Sequence, residues 1–483
     1  MSGHLINLKT VAQSVWLDDL GRELLKSGML DRLIREDGVT GVTTNPTILQ
    51  KALSNDKIYD DELHALVDKG ETPVGLYENL VISDVREAAE ALRGIYESSA
   101  GEDGYVSLEV APKLSFDTRA TVSEAKRLFK LVDRPNILMK IPTTAEGIEA
   151  GKALIAEGIN VNFTLIFSLS QYVEALRAFA EGVEQLVERG GDPSKVMSVA
   201  SYFVSRIDTV VDERLKESSA PAARAALADL FGKAAIANAR LAYAHFEQSL
   251  KSEKIQSLMD SGMRVQKLLW ASTSVKNPSY PDTYYVDGLL WPQTINTLPL
   301  VTLKAYRDHG SLEKKSQISL EEAHTVLERL EALLLNMDEI TVRLLEDGIR
   351  AFSDSYEVLI NEVSRKRLRL LRGWGHRSAS LGALQGAVDS SLEMFDKNSI
   401  PKRIWNCEPE IWTEDETGQK EISQRLGWLR VVETMSGETA KLRQFTEELK
   451  EAGFKTAILI GMGGSSLAPE VFVKTFGVTD GFI

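Results

Sequence analysis

The chain has 483 residues, 43% hydrophobic and 26% charged, with a formal net charge of −14. This is the balance of a globular protein, and the excess of acid argues against a nucleic-acid or membrane-surface partner. One cysteine, Cys407, allows no intrachain disulfide, and the six histidines are scattered without metal-ligand spacing, so no metal or other cofactor is expected. Met1 to Val15 shows no apolar core behind a basic start, and no run approaches about 18 apolar residues. A reducing cytoplasm is the expected location. At roughly 150 residues per domain the length predicts two or three domains, although one α/β barrel absorbs about 250.

Short apolar, partly β-branched runs recur along the chain: Ser14–Leu17, Gly41–Thr44, Tyr105–Val110, Ile137–Ile141, Val161–Phe167, Ser198–Val204, Val265–Ala271 and Thr294–Thr297. They read as buried parallel strands. Helical stretches follow most of them. Asp84 is expected to begin one helix, Thr121 with Glu124 another, and Thr143 with Glu146 a third. Eight strands alternating with helices predict an α/β (β/α)8 TIM barrel. Periodicity alone leaves a doubly wound open sheet as the alternative.

A long helical stretch from Leu320 to about Leu371 ends in a basic segment, Arg365–Arg369, which reads as a solvated helix end rather than a nucleic-acid patch. The predicted division is a barrel with its C-terminal helices over 1–372, a linker over 373–386, and a second segment over 387–483. In that segment Ala457–Ile460 reads as a strand, running into a glycine turn, Gly461 to Ser466, and a helix.

The chemistry-bearing residues gather at predicted strand ends, where barrel active sites lie. Lys140 stands inside Ile137-Leu-Met-Lys-Ile-Pro142. An unpaired ammonium is costly to bury, and burial favours the free amine that attacks carbonyls. The structural alternative is a lysine paired with a buried carboxylate. Asp18, Asp19 and Glu109 end other strands, with polar residues at Thr43-Thr-Asn45-Pro46, Asn162, Thr164 and Ser201. Each alone reads equally as a cap or turn. Arg206 and Lys276 follow two further strands and are suited to a phosphate.

Together Ser14–Asp18, Gly41–Pro46, Ser107–Val110, Ile137–Pro142, Gly158–Ser168, Ser201–Arg206 and Thr294–Pro299 resemble transaldolase. The resemblance implies a class I aldolase barrel without a cofactor, acting on sugar phosphates. It implies Lys140 as the Schiff-base lysine and Asp18 as the base for C–C cleavage. It implies Glu109 with Thr164 as a proton shuttle through a held water. Asn45, Asn162 and Ser201 would then hold the dihydroxyacetone hydroxyls, and Arg206 and Lys276 the phosphate. Many members have an arginine where Lys276 falls.

Gly461–Pro469, together with Arg425–Leu429, is similar to the first sugar-phosphate strand and turn of glucose-6-phosphate isomerase. This implies a transaldolase–isomerase fusion whose isomerase domain is cut short here. A phosphate loop would then lie at Gly463, Gly464, Ser465 and Ser466, where a glycine turn opens a helix. Two other activities remain open for the barrel: a fructose-6-phosphate aldolase-type lyase and a non-catalytic sugar-phosphate sensor. The sequence leaves the oligomeric state undetermined.

Overall fold

The structure, a computed structural model, describes residues 5–55, 57–218, 227–312, 318–371, 382–456, 458, 460–461 and 464–477. Eight parallel strands close into one barrel in chain order. They are β1 (Gln13–Leu17), β2 (Val39–Thr43), β3 (Val106–Glu109), β4 (Ile137–Pro142), β5 (Val161–Ile166), β6 (Ser198–Phe203), β7 (Lys267–Ala271) and β8 (Thr294–Leu298). β8 pairs with β1 and completes the closure, which removes the open-sheet alternative. Every residue of β4, β5 and β6 is buried, as expected of strands covered on both faces.

Trp16 fills part of the barrel interior. Its indole Nε1 donates to Asp103 Oδ1 at 2.8 Å, and Ser14 Oγ donates to Asp103 Oδ2 at 2.6 Å. The neighbouring strand must leave room for that ring. A Cβ at Gly41 would lie 2.4 Å from it, so only glycine fits there.

The helices start elsewhere than the sequence signals indicate. Thr118–Val132 is capped by Asp117 and Ala145–Ile155 by Thr144, so Thr121 and Thr143 are not the caps. Asp84 does not begin a helix. It lies inside Pro73–Ala91, which Thr72 caps. There it is buried and accepts hydrogen bonds from Arg22 Nε at 2.5 Å and the Tyr59 hydroxyl at 2.6 Å. A capping pattern cannot tell a cap carboxylate from one that an arginine distant in sequence will neutralise.

The long helical stretch divides into Leu320–Ala332 and Met337–Leu371. Its basic end is partly an anchor. Lys366 Nζ donates to the Leu53 carbonyl at 3.0 Å and Arg367 Nε to the Glu71 carbonyl at 2.7 Å. Further up this helix Ser355 Oγ lies 2.9 Å from Thr47 Oγ1, on the helix Pro46–Asn55 that follows β2.

The chain divides into two compact units, Met1–His376 and Arg377–Ile483. Residues 372–381, which include most of the predicted linker, lie outside the described residues, and the part from Gly382 onward is helical. The second unit holds helices Gln385–Lys397, Ile400–Trp405, Glu416–Arg425, Val431–Glu451 and Gly464–Phe476. It has no strand among its described residues, in contrast to the predicted α/β segment. Ile458 and Ile460 are exposed and in no strand. Ala457, Leu459 and Gly463 lie outside the described residues, while Gly464, Ser465 and Ser466 form the first turn of the last helix. Among the described residues, no helix is long and apolar enough to cross a membrane.

Candidate active site

β4 carries Lys140 into the barrel, in register with Glu109 of β3 on one side and Asn162 of β5 on the other. The side chain is buried, and its Nζ donates to the Thr44 carbonyl at 2.8 Å. Among the described residues no carboxylate lies within ion-pair distance of it. The alternative of a lysine locked in a buried salt bridge therefore fails. The amino group is held by a neutral carbonyl rather than by a carboxylate.

Beside the lysine lies a belt of neutral polar groups. Asn162 Nδ2 donates to Ser107 Oγ at 2.9 Å, and Ser201 Oγ donates to Asn162 Oδ1 at 2.7 Å, which fixes the amide's orientation across β3, β5 and β6. Both oxygens of Glu109 and the hydroxyl of Thr164 are buried without a hydrogen-bond partner in the protein. Such atoms are costly unless a ligand or solvent meets them. Burial pushes Glu109 up to about 7, against the opposing pull of the Lys140 charge. A small void of about 20 Å³, lined by Glu109, Tyr77 and Tyr356 among others, has room for a single water.

The strand end near Thr164 is irregular. Leu165 takes a left-handed conformation with φ 59°, and the β5–β6 register shifts between Phe163 and Ile166. Leucine adopts this region at a cost, and such departures concentrate where a strand must re-aim a side chain. Thr143 holds the distortion: its N–H donates to the Thr164 carbonyl at 3.0 Å and its hydroxyl to the Leu165 carbonyl at 3.2 Å.

Asp18 follows β1 and accepts from Thr43 Oγ1 at 2.7 Å, and that hydroxyl also meets Thr297 Oγ1 at 2.7 Å. Burial raises the Asp18 carboxyl above its ordinary range, against the charges of Lys140, Lys276 and Arg206. A base whose affinity for protons is raised by burial is suited to taking one from a hydroxyl.

Asp18, Asn45, Lys140, Ser201, Arg206 and Lys276 all line one cavity of about 880 Å³. Glu109, Asn162 and Thr164 are not on its wall. Asn45 also caps its helix, its Oδ1 accepting from the Ile48 N–H at 3.0 Å. The Arg206 guanidinium lies over the rings of Phe203 and Phe352, at 5.3 and 5.9 Å from their centres. Lys276 Nζ donates to Ser274 Oγ at 2.8 Å. Burial lowers the pKa of both cations; the charges of Arg206 and Lys51 lower Lys276 further, and Asp18 opposes the shift at both. Asp19, expected beside Asp18 at a strand end, is also on this wall; sequence reasoning missed Lys51, which lies on a helix face with no local motif.

Two buried carboxylates, Asp208 and Asp212, hold the arginine's helix to residues 232–235 and to residues 280–285 just beyond Lys276. Asp208 accepts from the Ala235 N–H at 2.8 Å and the Tyr285 hydroxyl at 3.0 Å. Asp212 accepts from the Gly232 N–H at 2.9 Å and the Tyr280 hydroxyl at 2.5 Å. Gly464 to Ser466 belong to the other unit. No cluster of metal-ligating side chains occurs among the described residues.

Residues of β2, β4, β6, β7 and β8, with Asp18 and Asp19 after β1, thus line one cavity, where an amine, two carboxylates and several cations stand together. This is the layout of a barrel enzyme that acts on an anionic carbonyl compound. The comparisons give the family. The chain matches the description Transaldolase/Fructose-6-phosphate aldolase over residues 15–363. It is 39% identical over 376 residues to the "Transaldolase" of Trichodesmium erythraeum (strain IMS101), covering 77% of this chain and 99% of that protein. It is 44% identical over 367 residues to the "Transaldolase" of Thermobifida fusca (strain YX), covering 76% of this chain and 99% of the relative. The chain belongs to the transaldolase/fructose-6-phosphate aldolase family.

Proposed function

We propose that the barrel is a transaldolase in which Lys140 carries the dihydroxyacetone unit as a Schiff base between sedoheptulose 7-phosphate and glyceraldehyde 3-phosphate, giving erythrose 4-phosphate and fructose 6-phosphate. The observation that carries the reading is the buried Lys140 amine, free of any carboxylate partner and flanked in register by Glu109 and Asn162. The free amine attacks the ketose C2 to give a carbinolamine. Glu109, assisted by a water held near Thr164, returns the proton needed for that hydroxyl to leave as water. Asp18 takes the proton of the C4 hydroxyl as the C3–C4 bond breaks. Its electron pair passes into the protonated imine, leaving an enamine on Lys140. Asn45, Asn162 and Ser201 hold the dihydroxyacetone hydroxyls, and Arg206 with Lys276 holds the phosphate. The acceptor aldehyde then takes up the enamine, and the steps reverse. No metal or organic cofactor takes part. The cytoplasm, where soluble sugar phosphates circulate, is the proposed location.

Mixing the chain with sedoheptulose 7-phosphate and glyceraldehyde 3-phosphate tests this. Erythrose 4-phosphate and fructose 6-phosphate should appear in equal amounts. If free dihydroxyacetone is instead the main product, the enzyme is the lyase of the family. For the second unit we retain the kinship to glucose-6-phosphate isomerase, which rests on Gly461–Pro469 and Arg425–Leu429. The 483-residue chain should not interconvert glucose 6-phosphate and fructose 6-phosphate, because isomerisation needs a base and a ring-opening group converging on one pocket. Turnover above background would contradict that.

A further inference from the structure

The cavity holds more cations than one phosphate requires. Among the described residues, Arg206, Lys276 and Lys51 all line it, and none of the three has a carboxylate within ion-pair distance. Lys51 comes from a separate element, the helix Pro46–Asn55. Thr47, Ile48, Lys51 and Ala52 of that helix all face the cavity, at the spacing of one helical face. Lys51 stands about 9 Å along the helix axis from Asn45, which caps the helix at the end of β2 beside the lysine's carbonyl partner Thr44. The electrostatics agree with this placement. Lys276 and Arg206 act on the Asp18 carboxyl, whereas Lys51 acts on Asp19 and on Lys276.

The reaction itself calls for two phosphate positions. If Lys140 holds the first three carbons of every donor, the phosphate of a seven-carbon ketose lies one C–C bond, roughly 1.5 Å, farther out than that of a six-carbon ketose. Two cations fixed around one point cannot serve both equally well. A lysine on a flexible four-carbon stem, reaching in from a separate helix, can follow the longer substrate.

We propose that Lys51 is a specificity-determining residue, one that receives the phosphate of the longer sugar phosphates while Arg206 and Lys276 alone suffice for the shorter ones. The proposal rests on the transaldolase reading of the site.

The test is Lys51→Met, which keeps the stem and its helix propensity. Steady-state kcat/KM would be measured for sedoheptulose 7-phosphate and for fructose 6-phosphate as donors, in wild type and variant. Loss of one solvent-exposed charge-assisted contact should lower kcat/KM about tenfold for the seven-carbon donor, mainly through KM, and less than about twofold for the six-carbon donor. An equal loss on both donors, or no loss on either, overturns the proposal. Borohydride trapping of the same two proteins separates this from failure of the underlying reading. A Lys140 adduct in wild type upholds the Schiff-base site whatever Lys51 does, and its absence there removes the reading itself.

Discussion

The barrel unit and the C-terminal unit each carry a segment that reads as sugar-phosphate chemistry, yet the fold treats the two differently. In the barrel, single residues from separate strands meet around one cavity, and three of the buried polar atoms that lack partners, on Glu109 and Thr164, lie on the strands that flank the lysine's. In the C-terminal unit the glycine segment leads into a helix, with no strand among the described residues and with Trp405, Trp412 and Trp428 all exposed. A motif becomes a site only where long-range pairing delivers other groups to it, and strand register does this in the first unit.

The sharpest way to break that comparison inside the barrel is Glu109→Gln. Removing a positioned proton donor should lower kcat by about 10²–10⁴-fold, while borohydride-trapped adduct still forms slowly. Wild-type kcat/KM should show a limb near pH 7, where the buried Glu109 titrates, and the variant should lack it. Stability tests the same residue with the opposite sign. A carboxyl raised from 4.5 to about 7 is favoured in its neutral, folded form. Wild-type stability is therefore fully present below pH 4.5 and falls as pH rises through 7. Glu109→Gln should be the more stable protein at pH 8, by roughly 3 kcal/mol, with the difference vanishing near pH 4. Equal stabilities at both pH values in urea unfolding would show that Glu109 is solvated.

Arg206→Ala should have the next largest effect. Phosphorylated substrates should lose about ten- to a hundredfold in kcat/KM through loss of a charge-assisted pair. Unphosphorylated analogues should change little. Equal loss on both would place Arg206 in support of the barrel rather than on phosphate.

The smallest effect is expected from the other side of the comparison. Deleting residues 385–483 should change transaldolase kcat by less than about twofold, because the family match ends at residue 363 and the relatives are covered to 97–99% by about three-quarters of this chain. A large loss in the same assay would mean that the second unit completes the site.

The strands were legible in the sequence because each is a short, largely apolar and partly β-branched run, and all eight fall within two residues of their expected ends. The cavity residues were legible where they sat at strand ends, as Asp18, Lys140, Ser201 and Arg206 do. The structure leaves Glu109, Asn162 and Thr164 off the cavity wall, which depends on side-chain direction and no linear pattern contains. Helix starts were misplaced because Asp117, Thr144 and Thr72 compete with nearby hydroxyls and carboxylates that look equally suited to capping. Lys51, Tyr280 and Tyr285 were invisible for a further reason: each acquires its role from a partner or a cavity brought close only by barrel closure.

The central claim is that one buried amine performs covalent catalysis. Incubating the protein with fructose 6-phosphate, reducing with borohydride, and locating the added mass by intact and peptide mass spectrometry tests it most directly. The account predicts a single dihydroxyacetone-sized adduct on Lys140, absent from Lys140→Met. An adduct on a different lysine, or turnover that persists in Lys140→Met, would contradict it.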